Sequence, residues 1–338
     1  MKEQKKLHFA IVGCGHISAK HADAIQAIDD CELVAVCDAA VAPMQAFAET
    51  YGVTKMYTDY EQLVKDPDID VICICTPSWL HAKMTIAAAK HDKHVIVEKP
   101  LAMTTEEAKT VLAAFARSKG KISVVLQNRF TPAVAFVKQM SGMLGKLQYV
   151  SADMFWYRDA KYYESEWRGK VELDGGTLLN QGTHFVDAIA YLSGKDFAKV
   201  SAYAATVGHA IEAEDVITVN FGFNDGTIGN IQGNTISYPQ NFEGTITLFY
   251  EKATVRLGGS VFNEITYWKG EGEEEAKELQ KRLVAEDQRG THKDVILNMV
   301  QYLRDGKPLA VSGEEGYKSV AMIEKAYESA RTGKEVHV

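Results

Sequence analysis

Through the first 128 residues short apolar runs alternate with helical patterns. Leu7–Val12, Glu32–Cys37, Val71–Cys75, His94–Val97 and Ser123–Leu126 are expected as strands, with helices such as Ala19–Ile28 and Thr105–Ser118 between them. Thr104 or Thr105 can cap the second of these helices, whose first turn carries Glu106 and Glu107. Strands that alternate with helices predict a parallel, doubly wound sheet of the α/β class. From about residue 145 the pattern changes. Gln148–Trp156, Val200–Val207, Val216–Phe223, Thr227–Ser237, Gly244–Tyr250, Ala253–Leu257 and Glu264–Trp268 follow as strands, and Asn224-Asp225-Gly226 is a hairpin signal. One helix, Gly176–Leu192, interrupts them and is expected to stop at Gly194.

Two domains follow. Residues 1–128 form a dinucleotide-type domain, and 129–338 an α+β domain with a mostly antiparallel open sheet. The last helices, about 290–304 and 313–332, can pack on either. The charge-rich stretch 270–290 is expected as a solvated helix or loop.

Composition narrows the function classes. The chain has 338 residues, 46% hydrophobic and 24% charged, enough for two cores. A net charge of −8 supplies no basic footprint for nucleic acid. No apolar stretch approaches the roughly 20 residues that cross a bilayer, and the charged start Met1-Lys2-Glu3-Gln4-Lys5-Lys6 is unlike a signal peptide. The five cysteines (Cys14, Cys31, Cys37, Cys73, Cys75) lie in or beside apolar runs without Cys-x-x-Cys spacing, which predicts buried thiols in a cytoplasmic protein. No metal site is expected. The exposed face of an open sheet predicts a homo-oligomer, with subunit number left open.

The chemistry starts at Gly13-Cys14-Gly15-His16-Ile17-Ser18, which follows the first strand. Gly13 permits a tight turn, Gly15 lets backbone approach a pyrophosphate at a helix N-terminus, and Ser18-Ala19 is small enough for close packing. Asp38 closes the second strand 25 residues after Gly13, where a carboxylate meets the adenosine ribose hydroxyls. Ala39 and Ala40 follow, with no arginine for a 2′-phosphate, so NAD is expected rather than NADP. Thr76, Pro77 and His81 follow another strand; His81 faces the cofactor or caps a helix, and the sequence leaves both open.

Glu98-Lys99-Pro100 closes the strand His94–Val97 and sets a lysine at the sheet edge where such folds bind ligands. Oxidising an alcohol needs a base for the hydroxyl proton and a group that stabilises alkoxide charge. Lys99 is one candidate. His184 is a second: on a helix it shares a face with Asn180, Asp187 and Tyr191, a stripe that is either functional or merely solvated. Trp156, Arg158, Tyr162, Tyr163, Trp167 and Arg168 interleave aromatic and cationic side chains, which in an acidic protein suggests an anionic substrate. An exposed strand with snorkelling side chains is the alternative.

The glycine turn, Glu98-Lys99-Pro100 and Gly175-Gly176…His184 together resemble the glucose–fructose oxidoreductase / inositol dehydrogenase / rhizopine catabolism (Gfo/Idh/MocA) family over essentially the whole chain. That resemblance implies a Rossmann domain followed by a C-terminal α/β domain whose sheet often mediates oligomerisation. It also implies that Lys99 and His184 are the catalytic pair and that the Lys99–Pro100 peptide is cis. Carried onto this sequence, Gly13, Gly15, His16, Ile17, Asp38, Thr76, Pro77, His81, Glu98, Lys99, Gln127, Trp167 and Arg168 would bind NAD. Lys99, Arg129, Arg158, Tyr163, Arg168, Asn180, Gln181 and His184 would bind substrate.

Within the family, Phe155-Trp156, Arg158, Tyr162-Tyr163, Trp167-Arg168-Gly169, Gln127-Asn128-Arg129, Tyr238-Pro239 and Asn241 look like the UDP-N-acetylglucosaminuronate 3-dehydrogenases. The implied substrate is a UDP-linked amino-sugar uronate oxidised at C3, on a route to surface polysaccharides. Many relatives carry aspartate where Asn180 stands, and losing that charge suits an anionic sugar. The alternatives are a dehydrogenase of a free sugar or inositol, and a non-catalytic NAD-binding regulator.

Overall fold

A computed structural model describes residues 5–286 and 290–338. The charged start expected from residues 1–6 and the stretch 270–290 therefore lie partly outside the described residues. Two compact units are present: 1–126 with 292–317, and 127–291 with 318–338. These units follow the expected 1–128 and 129–338 except at 292–317, which lies in the helices left open to pack on either domain and belongs to the first unit.

The first unit alternates β1 (Leu7–Val12), α1 (His16–Gln26), β2 (Cys31–Cys37), α2 (Val41–Tyr51), β3 (Lys55–Tyr57), α3 (Tyr60–Leu63), β4 (Val71–Ile74), α4 (His81–Lys90), β5 (His94–Val97), α5 (Thr105–Phe115) and β6 (Ile122–Val124). All pairings are parallel, in the order β3-β2-β1-β4-β5-β6. This is the doubly wound Rossmann order, whose switch point falls between β1 and β4. β4 is buried throughout, and in β1 and β5 only the first residues are partly exposed. That burial explains why these strands are unbroken apolar runs rather than alternating ones. All five cysteines are free and buried, and burial pushes the thiols of Cys14, Cys31 and Cys37 up to about 12. Thiols so placed are inert.

The second unit contains α6 (Pro132–Met140), β7 (Leu147–Phe155), α7 (Thr183–Ser193), β8 (Phe197–Ala205), β9 (Val216–Phe223), β10 (Ile228–Asn234), β11 (Glu243–Tyr250), β12 (Ala253–Gly258), β13 (Glu264–Gly270) and α8 (Glu273–Glu286). After α9 (His292–Asp305), which belongs to the first unit, α10 (Gly313–Thr332) leads into β14 (Val336–His337). The eight strands run β13-β12-β11-β7-β10-β9-β8-β14, antiparallel except for the central β7–β10 pair. In β7, Val150, Ala152 and Met154 point into the core while Tyr149, Ser151 and Asp153 lie on the less buried face. The charge-rich segment forms α8, buried through Ala276, Leu279 and Leu283, with Lys277 paired to Glu273 and Glu274.

One helix departs from expectation where the chemistry was placed. The segment expected as a continuous helix Gly176–Leu192 has a π-type turn over Leu178–Gly182, and regular α-helix begins only at Thr183. Gly194, at φ 65°, ends it as expected.

Candidate active site

In the first unit the residues expected to hold the cofactor gather at the carboxyl ends of β1, β2, β4 and β5. Gly13 adopts φ +88°, and a Cβ there would stand 2.8 Å from the Cys75 carbonyl oxygen at the end of β4. Only glycine fits. Gly15 caps α1 with no side-chain hydrogen bond, leaving the first-turn amides for an anion. The Asp38 carboxylate accepts the Cys14 amide at 2.7 Å and the Ala40 amide at 2.8 Å, which ties this acid to the glycine turn. A carboxylate offers about four lone-pair sites, so two remain for vicinal hydroxyls. The glycine cradle, the open helix start and the fixed acid all fit NAD.

Lys99 follows β5 and is half-buried, while its neighbours Glu98 and Pro100 are buried. The Lys99–Pro100 peptide is cis. His81 is 1% exposed and stands at a helix boundary, closing the short 3-10 turn Ser78–Leu80 and opening α4. Its Nδ1 faces the Pro100 carbonyl oxygen at 2.7 Å and its Nε2 the Thr76 carbonyl oxygen at 2.8 Å. Burial draws its pKa down while the two carbonyls pull it up. Burial prevails, so the ring is neutral and its single N–H donates to one of these two carbonyls, at the Lys99–Pro100 turn or just past β4. Glu98 also turns inward: its carboxylate lies between His21 and His292, so its side chain is a correction to the expected cofactor set.

In the second unit every residue from Asp174 to Ile189 is buried except His184, which is partly exposed. The solvated-face reading of the polar stripe is thereby overturned, since Asn180 and Asp187 are 8% and 1% exposed. Asn180 lies in the π-type turn and His184 in the regular α-helix that follows it. Asn180 donates its amide to Asp174, and the same carboxylate accepts the Gly169 amide at 2.8 Å. The carboxylate absent at 180 is supplied at 174. Asn180→Asp would bury two carboxylates against each other, and we expect it to destabilise the protein by about 2 kcal/mol. The measurement is Tm in the two forms, with the deficit shrinking in acid as one carboxyl protonates.

Arg129, expected on substrate, is 6% exposed. Its Nε lies 3.1 and 3.0 Å from the two Asp187 oxygens and its guanidinium sits 4.7 Å from the Tyr191 ring centroid. That fork is structural. Asp187 and Tyr191 are accordingly its partners and leave the catalytic stripe. The aromatic–cationic segment is assembled as a unit: Arg158 lies 5.3 Å from both the Trp156 and Tyr162 rings, and Arg168 4.1 Å from Tyr162. Gln181 donates to the Tyr162 hydroxyl at 3.0 Å, and the Tyr163 hydroxyl meets Thr235 Oγ1 at 3.0 Å. Arg158 is also held by Asn241 Oδ1 at 3.2 Å and by the Tyr157 carbonyl. His209, missed from sequence, braces it: its Nε2 faces the Arg158 carbonyl at 2.8 Å and its Nδ1 faces Asp215 at 3.0 Å. Gln127 Oε1 is buried with no hydrogen-bond partner among the described residues. His16 is exposed and Ile17, Thr76, Pro77 and Trp167 are partly exposed.

Residues 7–126 match the GFO_IDH_MocA oxidoreductase family, NAD-binding Rossmann fold, and residues 138–338 match its C-terminal alpha/beta domain. The WlbA dehydrogenase from Bordetella pertussis, solved with NADH and UDP-GlcNAcA, is 33% identical with a TM-score of 0.92, covering 99% of this chain and 98% of that one. Its counterpart from Chromobacterium violaceum, solved with the same two ligands, is 32% identical, also with a TM-score of 0.92, covering 99% and 96%. D-glucoside 3-dehydrogenase of Escherichia coli (strain K12) is 27% identical over 98% of this chain and 97% of its own length. No helix among the described residues is long and apolar enough to cross a membrane.

Proposed function

The chain belongs to the Gfo/Idh/MocA family of NAD-dependent sugar and polyol dehydrogenases, and from that premise we propose that it oxidises the C3 hydroxyl of a UDP-linked N-acetylamino-sugar uronate. The observation that carries the reading is the braced cationic–aromatic segment. Arg158 and Arg168 flank Tyr162 in a chain of net charge −8, with the Arg158 backbone held by His209. Two fixed guanidinium groups beside aromatic faces suit a carboxylate or diphosphate on a sugar better than a neutral polyol. The likeness to two dehydrogenases solved with UDP-GlcNAcA supports the same choice.

In this reaction His184 accepts the hydroxyl proton as the C3–H bond breaks, and Lys99 hydrogen-bonds the oxygen and stabilises its developing charge. NAD, when bound, takes the hydride, so a secondary alcohol becomes a ketone with release of one proton. Asn180 and Gln181 orient the sugar, and Arg158, Tyr163 and Arg168 grip its anionic part. His184 suits its task as the partly exposed member of a buried stretch. The enzyme would serve nucleotide-sugar synthesis for surface polysaccharides in the cytoplasm, as a homo-oligomer.

The test is a substrate panel followed by NADH absorbance: UDP-N-acetylglucosaminuronate, UDP-N-acetylglucosamine, free glucose and myo-inositol. The uronate should exceed the others in kcat/KM by at least about a hundredfold, the scale of losing one charged bidentate contact in a desolvated site. Equal or higher kcat/KM with a free sugar or inositol would replace this reading by that of a free-polyol dehydrogenase. Binding of NAD and sugar with no redox change would make the protein a regulator.

A further inference from the structure

A buried cluster inside the first unit is used by none of the chemistry above. The Glu98 side chain sits between α1 and the start of α9, with Oε1 3.0 Å from His21 Nε2 and 3.1 Å from His292 Nε2. The two imidazoles meet edge-on at 4.9 Å between centroids, and all three residues are at most 8% exposed. The other carboxylate oxygen, Oε2, accepts the backbone amide of Lys99 at 3.3 Å.

A carboxylate oxygen can only accept, so each Nε2 carries a proton and each histidine is held in one tautomer. His21 Nδ1 is buried with no hydrogen-bond partner among the described residues, as a neutral ring's lone pair tolerates better than an N–H would. Burial draws the His21 pKa down, in keeping with a neutral ring. Burial alone would raise Glu98, yet the two imidazole hydrogen bonds prevail and hold it well below the usual carboxylate range. The result is a buried anion whose acceptor sites point at two helices and at one amide, that of Lys99. On the other side of the lysine, the Pro100 carbonyl faces His81 Nδ1. Two imidazoles thus fix the carboxylate that holds the Lys99 amide, and a third faces the carbonyl on the other side of a half-exposed side chain.

We propose that His21, His292 and Glu98 form a clamp that holds the Lys99 backbone in its working position, so that all three are positioning residues for the lysine. The inference rests on the reading of Lys99 as a catalytic group. A fold that needed only to join α1, α9 and β5 could do so with apolar side chains at no desolvation cost. The three atoms are also spaced like metal ligands, but the group numbers three and a closed structural zinc site needs four.

Glu98→Gln separates positioning from mere cohesion. Its amide oxygen still accepts both imidazole N–H groups, while its NH2 replaces the acceptor that faced the Lys99 amide, setting donor against donor. We expect Tm within a few degrees of the parent, NAD Kd and sugar KM within about threefold, and kcat on UDP-N-acetylglucosaminuronate reduced roughly tenfold to a hundredfold. His292→Leu should lower kcat similarly, and His292→Gln, which keeps a donor, should recover most of it. Independently of turnover, 15N NMR of histidine-labelled protein should show a proton on Nε2 of both His21 and His292. Parental kcat in Glu98→Gln, no rescue by His292→Gln, or Nδ1–H tautomers would overturn the clamp. So would one equivalent of zinc retained through dialysis against a chelator, since the nitrogens would then be ligands. Parental turnover in Lys99→Ala would instead overturn the role of the lysine, with the NMR result still deciding the clamp.

Discussion

Lys99→Ala is expected to lower kcat by roughly a thousandfold or more while NAD affinity changes less than about threefold. The size follows from losing two contributions at once. Removing one preorganised donor at a developing oxyanion costs about 10²–10³, and a positioned proton-handling group contributes about 10²–10⁴. Selectivity for kcat follows from where the cofactor's other end is held. Gly13, the open start of α1 and Asp38 follow β1 and β2, whereas Lys99 follows β5. Lys99→Arg then divides the two contributions, because guanidinium keeps the charge but stays protonated. A tenfold or greater recovery in the arginine variant assigns Lys99 to charge stabilisation and leaves the proton to His184. Steady-state NADH production and NAD titration by fluorescence measure both quantities, and wild-type turnover in Lys99→Ala would remove the lysine from the mechanism.

The parallel sheet was legible because its central strands are buried on both faces. Val71–Ile74 and Val95–Val97 carry no polar residue, so run length alone gives the period away. Short and half-exposed elements were harder: β3 is three residues, and none of them is buried. Local sequence left open which unit the last helices join, and 292–317 belongs to the first. That placement depends on long-range pairs such as the Ser123 hydroxyl donating to the Val311 carbonyl at 3.0 Å.

The candidate site was legible in proportion to how locally its residues act. Gly13 announces itself because its conformation admits no side chain, and Asp38 because a strand end fixes its place. The π-type turn is invisible to a helical-period argument, since one extra residue per turn changes no composition. Its cause is tertiary. Leu178 N–H donates to Glu214 Oε1 and Leu179 N–H to the Tyr327 hydroxyl, from residues far away in sequence. Glu98 was seen as a motif member, but its partners His21 and His292 could not be, as nothing in sequence joins a first-helix histidine to one near the C-terminus.

Glu214 should make stability fall as pH rises, by about 3 kcal/mol between pH 4.5 and 7. It is buried, and its Oε1 accepts the Leu178 amide and the Tyr327 hydroxyl, each at 2.9 Å. Burial pushes its pKa from 4.5 up to about 7, these two neutral donors and its own backbone amide offsetting only part of that, with the Asp174 charge adding to the rise. A carboxyl whose folded pKa exceeds its unfolded one stabilises fully below the unfolded value, and that contribution is lost as pH climbs to the folded value. Glu98 has the opposite sign: imidazole donors hold it below its usual range, so acid rather than base removes its contribution. Glu214→Gln keeps an oxygen for both donors and cannot ionise. Relative to wild type it should therefore gain about 3 kcal/mol in going from pH 4.5 to pH 8, read by urea unfolding at each pH. A difference between the two proteins that stays constant across that range would mean that Glu214 is ionised in the native state. The π-type turn would then be built on a buried anion, and Asp174 and Glu214 would face each other as two charges beneath Asn180.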